Sequence, residues 1–205
     1  MPPHLSDEDV RREATAFSNK YNKDLRVPVP IGFIAEQLLG LNIVPAPGLM
    51  DGPRGINGYL SADRTTIYVD ETMMEKWETR YHFTIAHEIG HHQMHQDNYK
   101  GFLTKEEWLA YRKNLEAHEV AAAEYQADTF AGLVLVPPER LLEIARECFH
   151  EGVEIMTKRG AKIDPSSAAF WESYMVDRVA KRFEVSTMTA RIRLQADGIW
   201  KKKNL

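Results

Sequence analysis

The sequence has a single cysteine, Cys148, among its 205 residues, so no intramolecular disulfide can form. Such scarcity is typical of a protein in a reducing compartment. Long apolar runs are missing too: the longest aliphatic stretch, Leu133–Val136, is far shorter than the roughly 20 residues that span a bilayer. The first ten residues are acidic, whereas a signal peptide begins with basic and apolar residues. We therefore expect a cytoplasmic protein that is neither secreted nor inserted in a membrane.

An excess of charge of one sign is also lacking. The 26 Lys and Arg residues stand against 30 Asp and Glu residues, a net charge of −4 at pH 7, and apolar residues make up 43% of the chain. This composition excludes a disordered chain and is typical of a globular protein. A chain of this length can bury a core without help from disulfides or metal ions.

The order of sequence patterns predicts a mostly helical α+β protein. Acidic residues after Ser6 favour a first helix, because they lie in its first turn. Residues 41–70 are rich in β-branched and aromatic residues between turn signals, and they predict a small antiparallel sheet of about three strands. Helical patterns follow, among them one over residues 80–95, one over Glu139–Phe149 with a loop over Gly152–Asp164 after it, and a last pair over Ser166–Phe183 and Ser186–Ala196.

Histidines are crowded into one of these predicted helices. Five of the eight lie between positions 82 and 95, and residues 87–91 read HEIGH, an HExxH motif. His87 and His91 share a helix face, so both imidazoles can reach one metal ion. Glu88 is one step round the helix, where it can act as a general base on an attacking water. The alternative is a solvated, histidine-rich face.

A catalytic metal ion needs a third protein ligand. His95 continues the spacing, but eight residues of straight helix span about 12 Å, too far for one ion with bonds of about 2 Å. We expect His95 to cap the helix or line a pocket. Glu124 and Asp128 share a face of a later helix, so one carboxylate can bind metal while the other accepts a hydrogen bond from a histidine. Alternatives of the same chemical type are Glu116, His118 and Glu119.

Two segments of the chain resemble signatures of the ImmA/IrrE family of metallopeptidases. Residues 80–95, RYHFTIAHEIGHHQMH, are similar to the active-site helix of that family, and residues 124–137 are similar to its second signature. The resemblance covers roughly residues 28–140. It implies a zincin-like fold, in which a small antiparallel sheet packs on the HExxH helix.

The same resemblance implies a metal-dependent endopeptidase. His87, His91 and Glu124 would be the ligands of Zn²⁺, or of Mn²⁺ or Fe²⁺ in the same donor set, and Glu88 would be the catalytic base. The family usually has Asn where this chain has Asp128; the change leaves the ligand set intact and matches the Glu-xxx-Asp pattern of thermolysin-like sites. The implied substrate is a lambda-repressor-like helix-turn-helix repressor, whose cleavage derepresses a stress-response or mobile-element operon.

A peptidase also needs to stabilise an oxyanion and to hold its substrate. The strand Thr65–Val69, if it is a sheet edge beside the site, could hold a substrate segment by β-augmentation. Side chains that could donate to an oxyanion are Tyr81, His82, His92 and Tyr174.

The C-terminal residues raise a second class of function. Residues 176–205 hold eight Lys and Arg against three Asp and Glu, a net charge of +5, so the rest of the chain carries −9. Their helix-turn-helix pattern would suit a non-proteolytic transcriptional regulator that binds DNA or a partner through these helices. We favour the alternative that apolar residues pack this pair on the peptidase: Val179, Phe183, Val185, Ile192 and Leu194. We thus expect a zincin-like domain over residues 1–164, a helical pair over 165–205, and a protein partner rather than DNA or a membrane.

Overall fold

The computed structural model describes residues 5–51, 55–61, 63–96, 106–107, 110, 117–160, 164, 167 and 170–199. The strands are β1 (Asn42–Ala46), β2 (Gly58–Leu60) and β3 (Thr66–Asp70). The helices are α1 (Asp7–Tyr21), α2 (Ile31–Phe33, continued by a π-helical turn over Ile34–Leu38), α3 (Glu71–Lys76), α4 (Glu78–Met94), α5 (Ala117–Leu135), α6 (Pro138–Lys158), α7 (Val176–Phe183, after a π-helical turn over Trp171–Met175) and α8 (Thr187–Ala196). The predicted α+β class with mostly helical content is confirmed.

The sheet is mixed, so the prediction of an antiparallel sheet was wrong. β3 lies in the middle, with β2 antiparallel on one side and β1 parallel on the other. The short connection between β2 and β3 makes the expected hairpin. The longer segment between β1 and β2 carries the chain past that hairpin, so β1 pairs with β3 instead of with its neighbour in sequence. The strand predicted as an edge, Thr65–Val69, is therefore the centre of the sheet, and β2 is at the edge.

β2 and α4 are in close contact, which places the edge of the sheet beside the HExxH helix. Gly58 of β2 has no side chain, and a Cβ built there would lie 2.9 Å from the methyl carbon of Thr84 on α4. A larger residue would therefore push the strand away from the helix.

α4 and α5 pack closely because small residues face each other. A Cβ at Gly90 would lie 3.2 Å from the Cα of Ala127 and 3.2 Å from the ring of Phe130. Ala127 and Ala131 are fully buried, whereas Ala121 is exposed and takes no part in this contact. α1 packs on α5 as well, with the Phe17 and Phe130 rings 5.5 Å apart in an edge-to-face arrangement. α5 is thus held between α4 and α1.

The C-terminal part differs from expectation in the length of α6. The helix was predicted to end at Phe149, with a loop from Gly152, but it continues to Lys158. Gly152 serves packing instead of ending the helix, because a Cβ there would collide with the ring of Tyr174.

The last two helices pack against each other and against the rest of the chain. Phe183 of α7 and Leu194 of α8 are fully buried, as the apolar pattern predicted, but Ile192 is 54% exposed. Ser186 caps α8 by accepting a hydrogen bond from the backbone of Thr189. The division of the chain at residue 164 stays a prediction. Among the described residues, no helix has both the length and the hydrophobicity that a membrane span requires.

Candidate metal centre

Two packed helices bring a group of candidate metal ligands together. α4 supplies His87 and His91, which are one turn apart on the same side of the helix, and α5 supplies Glu124. The Nε2 atoms of the two histidines are 3.0 Å apart. The carboxylate oxygens of Glu124 lie 3.7 Å from Nε2 of His87 and 3.9 Å from Nε2 of His91. Each side chain therefore offers one ligand atom within 4.8 Å of the others.

These distances fit a single metal ion. A tetrahedral ion with bonds of about 2.0–2.1 Å to nitrogen and oxygen holds its ligand atoms about 3.3 Å apart. The two histidine nitrogens are 3.0 Å apart, and the contacts of 3.7 Å (His87 Nε2 to Oε2 of Glu124) and 3.9 Å (His91 Nε2 to Oε1) involve different carboxylate oxygens, so a small rotation of the carboxylate brings one oxygen to this value. Two imidazoles and one carboxylate suit Zn²⁺ and related transition metals. Three protein ligands leave a further position open, as a catalytic site requires.

The other ring nitrogen of His87 is held by Asp128, whose Oδ1 is 2.8 Å from Nδ1. A proton held at Nδ1 by a carboxylate leaves the Nε2 lone pair free to bind an ion. Burial lowers the pKa of His87, but the hydrogen bond to Asp128 and the charges of Glu88, Glu124 and Asp128 outweigh it and raise the pKa from 6.5 to about 9. Asp128 thus lies beside a candidate ligand histidine, where the sequence predicted it.

His91 is held by a chain of polar groups in the interior. Its Nδ1 is 2.8 Å from Nδ1 of His95, and Nε2 of His95 is 2.8 Å from Oε1 of Gln126. The amide of Gln126 donates to the backbone carbonyl of Leu5. When Nε2 of His91 binds an ion, its proton is on Nδ1, so His95 accepts that proton's hydrogen bond and donates from Nε2 to Gln126.

His95 therefore has a larger role than the sequence suggested. It ends α4 as predicted and is only 2% exposed. Its ring also connects a candidate ligand to α5 and to the start of α1. The burial of this connection makes it stiff, because neither nitrogen of His95 can exchange its partner for water.

A cavity of about 320 Å³ opens over these residues. Its walls are formed by residues 55–57, which precede β2, by Gly58 at the start of β2, by one face of α4, and by Glu124 and Asp128 of α5. Glu88 lines the same cavity and is only 4% exposed. The general base predicted from the motif thus lies beside the candidate ligands.

The cavity is also lined by residues that the sequence did not single out, among them Asn57, Arg80 and Phe83. The helical period held a signal for two of them, because Arg80 and Phe83 precede His87 by seven and four residues and so share its face. The four candidates for oxyanion stabilisation, Tyr81, His82, His92 and Tyr174, are not among the described residues that line the cavity. Of the alternative ligands, the side chains of Glu116, His118 and Glu119 lie outside the described residues.

The fold and this site define a metallopeptidase-like protein. Residues 55–195 match the family described as the IrrE N-terminal-like domain, a family of peptidases. Because this match covers more than half of the chain, the protein belongs to that family, and the predicted resemblance is confirmed.

A solved structure of a Mycobacterium tuberculosis transcriptional regulator is similar to this chain, with a TM-score of 0.56 and 16% sequence identity. The match covers 91% of this chain and 55% of the other, so this chain spans about half the length of that protein. At such low identity the likeness concerns the fold alone. No curated protein matches the sequence.

Proposed function

We propose that the protein is a zinc-dependent endopeptidase that cleaves one specific protein. The observation that carries the proposal is the convergence of His87, His91 and Glu124 at distances that suit one ion, beside the buried carboxylate of Glu88. Zn²⁺ is the expected ion for this donor set, and Mn²⁺ or Fe²⁺ could occupy it.

Glu88 carries out the proton transfers of the reaction. When bound, the metal ion would polarise the scissile carbonyl and make water a better nucleophile at neutral pH. Glu88 takes the proton from the attacking water and then delivers it to the nitrogen of the departing amine. The guanidinium of Arg80 and the amide of Asn57 line the same cavity, and both can donate hydrogen bonds to the developing oxyanion.

The substrate backbone has a place beside β2. Gly58 of this strand lines the cavity, and among the described strands β2 pairs only with β3. An extended substrate segment that pairs with the other side of β2 would pass over the candidate ligands. This arrangement replaces the strand Thr65–Val69, which lies in the middle of the sheet, as the site of β-augmentation.

The proposed substrate is a lambda-repressor-like helix-turn-helix repressor. Its cleavage would derepress a stress-response or mobile-element operon, as the resemblance to the ImmA/IrrE family implies. The reaction would take place in the cytoplasm, which suits a chain whose single cysteine, Cys148, is buried and unpaired.

The test is to incubate the zinc-loaded protein with the protein encoded by the neighbouring reading frame and to identify fragments by mass spectrometry. We expect cleavage at one bond, its loss in the presence of a chelator, and its recovery when zinc is returned. Glu88→Gln should bind zinc as the wild-type protein does and should not cleave, because an amide cannot accept the proton of the attacking water. Cleavage by this variant at the wild-type rate would refute the proposed role of Glu88.

A further inference from the structure

The candidate metal centre opens into a second, larger space that the proposed chemistry does not use. A groove of about 1050 Å³ runs between α4 and α5 on one side and α1 and α8 on the other. Asn57, Arg80, Phe83 and Asp128 line both this groove and the cavity over the candidate ligands. The two spaces therefore adjoin each other along these four side chains.

Exposed apolar side chains are concentrated in this groove. Tyr125 on α5 is 55% exposed, and Met188 and Ile192 on α8 are 58% and 54% exposed. They are three of the eight large apolar residues that are exposed in the described part of the chain. Apolar residues gathered in a groove indicate a surface that binds an apolar partner.

The apolar surface of α8 has two sides. Ala190 and Leu194 face the interior and are fully buried. Met188 and Ile192 are one turn apart and form a second stripe, which lies in the groove. The apolar pattern predicted Ile192 in the core, but Ala190 and Leu194 occupy the buried side of α8 and Ile192 lies exposed in the groove.

We infer that this groove binds the substrate polypeptide on one side of the scissile bond and selects apolar side chains there. The inference rests on the proposed peptidase function and names the substrate feature that the site recognises. An extended chain rises about 3.3 Å per residue, so residues near the scissile bond must leave the small cavity within a few positions. The groove adjoins the cavity over the candidate ligands, and its apolar stripe lies within reach of a substrate chain that leaves this cavity.

Charge in the groove suits a polypeptide better than a phosphate backbone. Asp7 and Glu8 at the start of α1 line it and would repel phosphates. The arginines that line it from α1 and α8, Arg11 and Arg193, both form ion pairs with Asp197. Asp197 offsets one of these two charges. With Asp7, Glu8 and Asp128 in the lining, four acids face the three arginines Arg11, Arg80 and Arg193, so the groove has no excess of positive charge.

The test measures peptide binding apart from catalysis. All proteins carry Glu88→Gln and are loaded with zinc, and the probes are a fluorescent Gly/Ser peptide with several leucines, the same peptide with serines in place of the leucines, and a DNA duplex. We expect the leucine peptide to bind best, and Met188→Glu or Ile192→Glu to weaken its binding at least about tenfold, since a buried charge replaces an apolar contact. The control Phe33→Glu changes a residue that is 56% exposed and lines neither cavity, so binding should not change.

The outcomes separate this inference from the proposed function. The inference that the groove binds substrate would be wrong in any of three cases: all variants bind the leucine peptide equally, neither peptide binds, or Ile192→Glu loses only DNA binding. With Glu88 restored, cleavage of the repressor by Ile192→Glu at unchanged kcat/KM would also overturn it while leaving the peptidase in place. If the leucine peptide binds selectively but the repressor is not cleaved, the groove binds peptides as inferred and the proposed peptidase function is wrong.

Discussion

Replacement of Asp128 by Asn should change how zinc binding depends on pH. The carboxylate of Asp128 lies 2.8 Å from Nδ1 of His87, and together with nearby acids it raises the pKa of that histidine from 6.5 to about 9. The difference corresponds to about 3 kcal/mol in favour of the charged ring. The charged ring stabilises the metal-free fold fully below pH 6.5, and this stabilisation is lost as the pH rises through about 9.

Zinc binding depends on pH in the opposite direction, because Nε2 of His87 must lose its proton to bind the ion. At pH 7 zinc therefore competes with that proton, and its apparent affinity should be about 100-fold lower than above pH 9. In Asp128→Asn the amide oxygen can still accept the hydrogen bond, but the charge is gone and the pKa falls. The affinity should then change less than about tenfold between pH 7 and pH 9. At pH 9 the variant should bind zinc about tenfold more weakly than the wild-type protein, because the ring is oriented less firmly.

Calorimetric titration with zinc in two buffers of different ionisation enthalpy measures these effects, since it gives the affinity and the number of protons released. At pH 7.5 the wild-type protein should release up to about one more proton per zinc ion than Asp128→Asn. The control Asp177→Asn removes a carboxylate that pairs with Lys181 on the surface of α7, and it should match the wild-type protein. If Asp128→Asn shows the wild-type pH dependence, Asp128 does not set the pKa of His87.

Two further substitutions test the support around the site. His95→Phe removes the partner of Nδ1 of His91, so zinc affinity measured by competition with a chelator should fall about 10- to 100-fold; an unchanged affinity would show that His95 does not orient this ligand. Gly90→Ala places a Cβ 3.2 Å from Ala127 and should lower the free energy of unfolding by about 1–3 kcal/mol in chemical denaturation, whereas Gly32→Ala, with no atom within 4 Å, should not destabilise the fold.

The part of the site on α4 could be predicted because it is local. The distance between residues four apart is fixed by the helix, so the HExxH motif alone places His87 and His91 on one side and Glu88 beside them. The third candidate ligand depends on a contact between two helices. The small residues Gly90 and Ala127 let α5 come close to α4, but the sequence left several acidic residues that could have met the histidines.

Other features could not be predicted because the sequence pattern does not encode them. The alternation of a strand sets which side chains share a face and is silent on strand direction, so the parallel pairing of β1 with β3 was missed. For the same reason the sequence did not predict that β2 lies at the edge of the sheet. The contact of His95 with His91 could not be predicted either, because helix spacing excludes His95 as a ligand of the same ion but does not fix which hydrogen bond its side chain makes.

The arginines of the two C-terminal helices, which contribute to the basic charge of this part of the chain, are engaged in ion pairs within the protein. Each arginine of α7 and α8 forms an ion pair: Arg178 and Arg182 with acids of α6, Arg191 with Glu172, and Arg193 with Asp197. A DNA-binding helix must release such cations to the phosphates, and each broken pair would weaken binding. Ion pairs to α6 attach α7 to the rest of the chain, whereas α8 is held by the pair of Arg191 with Glu172 and by Asp197, which pairs with Arg11 of α1. These contacts keep Met188 and Ile192 in the groove. The charges of α7 and α8 are thus better suited to fixing the wall of a peptide groove than to holding DNA.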